Sequence, residues 1–160
     1  MNETKYIVRE ALPDDLDAAC RCVEALYEDV KAYNAAYQEV NPTRVREILD
    51  ARIRSKTSMV YLLEAEDEIL GLIVGQIAKF STCYVPIHGD IIGKVTEVYV
   101  AESVRGQSAA GLLWDKLAEW FRTSEVCYVE AEILAGNMPS ERFFSRQGFS
   151  TLSRTVFKLL

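Results

Sequence analysis

The chain has little with which to hold a metal: one histidine and four cysteines in 160 residues. Cys20-Arg-Cys22 is the one close cysteine pair, and with His88 as the sole imidazole nothing completes a zinc ligand set. The cysteines, Cys20, Cys22, Cys83 and Cys127, are too few and too irregular for a disulfide framework, so all four are read as buried free thiols in a reducing compartment. Basic charge is short as well: 18 Lys and Arg stand against 24 Asp and Glu, a net charge of −6. A nucleic-acid binder needs a basic face to release counterions, so that class is disfavoured, whereas a cationic partner fits. Long apolar runs are missing. The longest, Ile69-Leu-Gly-Leu-Ile-Val-Gly75, is far too short to span a bilayer. The start, Met1-Asn-Glu-Thr-Lys-Tyr6, has neither the basic nor the apolar region of a secretory signal, so a cytoplasmic protein without membrane partners is expected. There is no repeat and no Pro/Gly/Ser linker, which reads as one domain over 1–160.

What is present is ordinary globular material, 49% apolar and 26% charged. A chain of this length buries roughly 70% of its unfolded surface and needs no staples. The patterning predicts a strand at 6–8, then a helix opened by Pro13-Asp14-Asp15 with Leu16, Ala19, Cys20, Val23, Leu26, Tyr27 and Val30 on one stripe. Asn41-Pro42 opens a second helix with Val45, Ile48, Leu49 and Ile53 inside. Strands at 59–63 and 69–77 flank the polar turn 64–68 as a hairpin. A loop follows over 80–90, then a strand over 91–100, a helix over 107–122 and a strand over 126–134. A short helix over 137–147 closes at Gly148, and a last strand is expected at 155–160. The order implies an α/β chain with a mixed, twisted sheet of six to seven strands and helices on both faces.

The most informative stretch is Thr96-Glu-Val-Tyr-Val-Ala-Glu-Ser-Val-Arg-Gly-Gln-Ser-Ala-Ala-Gly111. A strand enters a turn of small residues that opens directly into a helix. Free backbone N–H groups and the helix dipole converge there, and Arg105 adds a fixed positive charge, which is the physics of a pyrophosphate cradle. The plain alternative is a β-to-α turn kept small for close packing. Neither a G-x-G-x-x-G fingerprint nor a Gly-Lys-Ser/Thr phosphate loop is present.

Arg105-x-x-Ser108-x-Ala110 resembles the (Q/R)-x-x-G-x-(G/A) motif of the GNAT superfamily of N-acetyltransferases. The preceding Glu97-Val-Tyr-Val100 resembles that superfamily's strand, and Asn137-Met-Pro-Ser-Glu-Arg-Phe-Phe-Ser-Arg-Gln-Gly-Phe149 resembles its N-x-x-A-x-x-x-Y-x-x-x-G-F helix. The resemblance covers essentially the whole chain. It implies the GNAT fold, acetyl-CoA as cosubstrate, an amine as acceptor and, commonly, a homodimer. It also implies that the main chain of Val98, Tyr99 and Val100 pairs with pantetheine, and that Arg105, Gly106, Gln107, Ser108, Ala109, Ala110 and Gly111 cradle the pyrophosphate. Asn137 would contact the pantetheine arm or cap its helix. The sequence departs from the pattern twice. Ser108 stands where glycine is usual and is tolerated if φ is negative there. Phe144 stands where many members carry the tyrosine that protonates the departing thiolate, so water, another residue or nothing takes that role.

A primary amine must lose a proton before it attacks a thioester, so a general base is needed. Glu97 is the first candidate, since alternation puts it on the face opposite Val98 and Val100 and beside Tyr99; the alternative is a solvent-facing strand acid. Tyr99 is either a substitute acid or a packed aromatic. Glu130 and Glu132 share a face with Tyr128 and would bind a cationic acceptor, or are merely an exposed sheet face. His88 is a lone loop histidine and a weak base candidate. Tyr27, Tyr33 and Tyr37 could form an aromatic lid over the acceptor, Tyr33 foremost, although packing is the default. Trp114 and Trp120 read as core or as a dimer contact. The expectation is transfer of acetyl from acetyl-CoA to a primary amine of a small cation or peptide, by direct attack in a ternary complex without a metal. A degenerate CoA-binding sensor and a longer-chain acyltransferase are the rivals.

Overall fold

The computed structural model describes residues 6–34, 36, 39–80, 83, 85 and 88–160. Five strands, β1 (Ile7–Glu10), β2 (Ser58–Ala65), β3 (Glu68–Lys79), β4 (Ile91–Val100) and β5 (Tyr128–Ala131), form one sheet in chain order. β1 to β4 are antiparallel and β5 joins β4 in parallel. Four helices accompany it: α1 (Leu16–Val30), α2 (Pro42–Ile53), α3 (Ala109–Thr123) and α4 (Met138–Arg146). The connection from β4 through α3 to β5 supplies the crossover that a parallel pair requires.

Two of the helices, α2 and α4, start at an asparagine cap. Asn41 caps α2 by accepting from the Arg44 N–H at 3.1 Å, with Pro42 in the first turn. The β2–β3 hairpin closes on Glu66 and Asp67, both at positive φ, as a two-residue turn matched to strand twist requires. The central strands are covered on both sides, so β3 reads as a continuous apolar run rather than an alternation. Leu62, Leu72 and Val74 meet Ala19, Val23 and Leu49 of α1 and α2 on one face. Leu63, Ile73 and Val95 meet Leu113, Leu117 and Phe121 of α3 on the other. α3 comes in close because Gly75 and Gly93 lack side chains: a Cβ at either would sit 2.5 Å from Leu117 Cδ1 or 2.7 Å from Phe121 Cε1.

Three expectations are corrected. Residues 155–160 form no strand, so the described sheet has five strands rather than six or seven. Phe149 is anchored by its N–H on the Phe144 carbonyl at 3.0 Å and by ring contacts with Trp114 and Phe144, and beyond it the chain finds no ladder and lies exposed. The strand expected over 126–134 keeps only its middle, because β4 supplies ladder partners only as far as Ala131. The helix expected from 107 starts at Ala109, because Gly106 and Ser108 both take positive φ. No helix among the described residues is long and apolar enough to cross a membrane.

Candidate active site

A one-residue irregularity positions the site. Glu97 stands opposite Val74 and Val95 opposite Gly75, so Thr96 is an extra residue bulged from β4. On the other side of β4, the parallel ladder to β5 ends one residue earlier, at Val95 and Ala131. Beyond that rung the two strands part. The gap is a cleft of about 560 Å³, walled by Tyr27 and Leu49 from α1 and α2, Glu97 and Val98 from β4, and Asn137 and Phe144 from the start and middle of the α4 segment. A partly closed, mostly apolar cleft with a few convergent polar groups is the usual form of a small-molecule site.

Glu97 is the buried charge of that cleft, 7% exposed. Its Oε2 accepts from the Arg52 guanidinium and from the Thr96 hydroxyl. Consecutive strand residues normally face opposite ways, and the bulge is what brings Thr96 beside Glu97. Arg52 reaches in from α2 and is itself largely covered. Tyr27 of α1 completes the cluster. Although 41% of Tyr27 is exposed, desolvation of the rest and then the Glu97 charge push its phenol above the ordinary range, against a smaller opposing effect of Arg52. Three elements far apart in sequence thus bring a carboxylate, a guanidinium and a phenol to one point. Sequence reasoning missed Arg52. The signal was there: it continues the stripe of Val45, Ile48 and Leu49 at helical spacing, where a charged residue needs a buried partner.

The second half of the site is the turn before α3. Ser108, at φ 63°, is left-handed, contrary to the expected negative φ. Its side chain makes no cap bond, so the first-turn N–H groups of Ala109, Ala110 and Gly111 are not taken by it. A Cβ added at Gly106 or Gly111 would meet nothing within 4 Å, so the turn is open on its outer side. Gln107 donates to the Ser103 carbonyl at 3.1 Å and accepts from the Tyr6 hydroxyl at 2.6 Å. Arg105 donates through Nε to the Val100 carbonyl at 3.0 Å and pairs with Asp29 of α1. Its guanidinium carbon lies 5.9 Å from the centre of the Tyr99 ring. Open backbone donors, a helix N-terminus and a guanidinium suit a diphosphate, so the residues present fit the CoA that the sequence motif implies.

The remaining candidates divide. Asn137 is buried, lines the cleft and caps α4 by accepting from the Ser140 N–H at 3.3 Å. Phe144 faces the cleft and packs edge-on against Phe149. Val98 lines the cleft, whereas Tyr99 packs on the α1 side of the sheet, where burial and then Asp29 push its phenol up. Glu132 reaches the cleft and is exposed; Glu130 instead accepts from Tyr128 at 3.3 Å, away from it. Tyr33 and His88 are exposed and do not line the cleft, and Tyr37 lies outside the described residues. The cysteines are corrected: Cys20 and Cys22 are buried, but Cys83 and Cys127 are exposed, because they fall on the loop after β3 and the approach to β5 rather than on a helix stripe. Burial pushes the Cys22 thiol up to about 11.

The family model described as "Acetyltransferase (GNAT) family" matches residues 23–149. No curated protein sequence matches the chain. Among solved structures, a mutant of the BH1408 protein from Bacillus halodurans is 20% identical with a TM-score of 0.81, over 96% of this chain and 99% of that one. An aminoglycoside N-acetyltransferase, AAC(6')-Iy in complex with CoA, is 11% identical with a TM-score of 0.81, over 99% and 97%. A second enzyme of that kind, AAC(6')-IG from Acinetobacter haemolyticus, is 12% identical with a TM-score of 0.78, over 96% and 97%. At these identities the likeness is one of fold.

Proposed function

Since the chain belongs to the GNAT acetyltransferase family, we propose that it is one domain over 1–160 that moves an acetyl group from acetyl-CoA to a primary amine. The observation that carries the reading is the cleft opened where β4 and β5 part, with Glu97 on its wall. The turn at 105–111 holds the diphosphate through Arg105 and the N–H groups of Ala109, Ala110 and Gly111. The pantetheine arm runs along the unpaired edge of β4 at Val98 to Val100, toward Asn137 and Phe144. The acyl carbon then lies at the strand fork, and the acceptor enters from the α1–α2 side.

Glu97 is the general base. Its Oε2 is held by Arg52 and Thr96, which leaves Oε1 to take a proton from the acceptor. Attack is direct, in a ternary complex; the buried thiols of Cys20 and Cys22 do not line the cleft. Glu132 at the cleft and the overall charge of −6 favour a cationic acceptor, and the aminoglycoside-modifying neighbours make polyamines and amino sugars the first panel to try. The test is calorimetric titration with acetyl-CoA beside the Arg105→Ala variant, followed by thiol release with spermidine, kanamycin and a lysine-containing peptide. Saturable micromolar binding weakened by the substitution supports the reading. No binding of acetyl-CoA, CoA or a longer acyl-CoA sinks it.

A further inference from the structure

Cleavage of a thioester leaves its electrons on sulfur, and a proton delivered there as the bond breaks speeds departure. The wall where the family motif would place a tyrosine carries Phe144, which has no proton to give. Most other cleft groups are engaged elsewhere or carry no proton. The Lys31 ammonium is paired with Glu28 at 3.4 Å and the Arg44 guanidinium with Glu47 at 3.7 Å. The Thr96 hydroxyl already donates to Glu97. Glu28, Glu39, Glu97 and Glu132 are acceptors when ionised. Two hydroxyls remain among the described residues lining the cleft, Ser140 of α4 and Tyr27 of α1, and the phenol is by far the stronger acid. It comes from α1, lines the same cleft as Phe144 and Glu97, and feels the charge of the Glu97 carboxylate.

We propose that Tyr27 is the catalytic acid of this chain, protonating the departing thiolate and recovering its proton through Glu97. The inference rests on the acetyltransferase reading above and adds a residue to it. Glu97 first takes a proton from the acceptor ammonium and passes it to water. The amine lone pair then forms the C–N bond at the carbonyl carbon as the C–S bond breaks and its electron pair leaves on sulfur. Tyr27 gives its hydroxyl proton to that sulfur, directly or across one water. The phenolate regains a proton from the new N–H group by way of Glu97. One proton has gone to water, and both side chains end as they began. Desolvation and then the charge of Glu97 raise the phenol above its ordinary range, and Arg52, paired with Glu97, opposes part of that rise.

The test compares wild type, Tyr27→Phe, Glu97→Gln and the double variant Tyr27→Phe/Phe144→Tyr, in the whole chain. Acetyl-CoA affinity is read by calorimetry. Turnover is read with the three amines named above and two donors, acetyl-CoA and p-nitrophenyl acetate, whose leaving group departs without an acid. The expected result for Tyr27→Phe is unchanged acetyl-CoA affinity, about a hundredfold loss of kcat with acetyl-CoA, and a loss under about tenfold with p-nitrophenyl acetate. Its alkaline limb in the pH profile disappears, and the hydroxyl added at Phe144 restores part of the rate. Independently of turnover, difference absorbance shows one phenol, absent in Tyr27→Phe, whose titration moves to lower pH in Glu97→Gln. Equal losses with both donors, no loss with acetyl-CoA, or a phenol indifferent to Glu97→Gln overturn the proposal while leaving the acetyltransferase reading intact. A wild type that binds no acyl-CoA overturns that reading instead, and Tyr27 with it.

Discussion

The two halves of the site are built in opposite ways. The turn at 105–111 is a local structure: its donors are backbone groups of consecutive residues, its guanidinium belongs to the same segment, and most of it is exposed. The cleft at the strand fork is assembled from α1, α2, β4 and α4, and its central charge is buried against another. A backbone site tolerates change of side chain, and Ser108 in place of the usual glycine is an instance. A side-chain site does not, because burying a carboxylate without a partner costs several kcal/mol. The comparison predicts small effects from substitutions in the turn and large ones at the fork.

Six variants sharpen or break that contrast. Glu97→Gln should lower kcat by about 10²–10⁴-fold while leaving calorimetric acetyl-CoA affinity within a factor of about two; a wild-type rate would remove Glu97 from the chemistry. Arg52→Met should destabilise the fold by about 3–5 kcal/mol, read by denaturant unfolding, since it strands the Glu97 charge in the core. Pairing it with Glu97→Leu should recover most of that loss, and a failure to recover would mean that Arg52 acts through packing alone. Arg105→Ala should weaken acetyl-CoA binding by about tenfold, roughly 1.4 kcal/mol, with little change in melting temperature, because the Asp29 pair it loses is half exposed and screened. Asn137→Ala should cost about 1 kcal/mol of stability through the lost α4 cap. Smallest of all, Ser108→Gly should raise stability by about 0.5–1 kcal/mol, as relief of the left-handed strain outweighs the added chain entropy. If the turn variants proved costlier than Arg52→Met, the division between a tolerant cradle and an intolerant fork would be wrong.

The division also sets how far the sequence could be read. The β4 boundaries at 91 and 100 agree with the patterning, because the strand is bounded by a polar loop and by the turn into α3. The Asn41 cap was legible for the same reason, since a cap bonds only three residues along the chain, whereas at Asn137 the cap was one of two roles the resemblance implied. The left-handed Ser108 was not legible. It sits at the N-cap of α3 on a residue type that does not favour positive φ, so nothing in the side chain announces it. Nor was the end of the sheet: Val156, Phe157 and Leu159 have strand character, yet no ladder in the sheet reaches them.

By itself the sequence determined the order of elements as far as α4, the two-sided sheet, the small-residue turn before α3 and the identity of Glu97 as a carboxylate at the end of a strand. Each of these depends on residues within a few positions of one another, where period, capping and turn chemistry act. Only the tertiary structure decided what surrounds that carboxylate. The extra residue at Thr96, the parting of β4 from β5 after Val95 and Ala131, and the arrival of Arg52 and Tyr27 from two helices are all contacts between distant segments. Such contacts follow from how whole layers pack, and a buried charge takes its chemistry from the partner that packing brings to it.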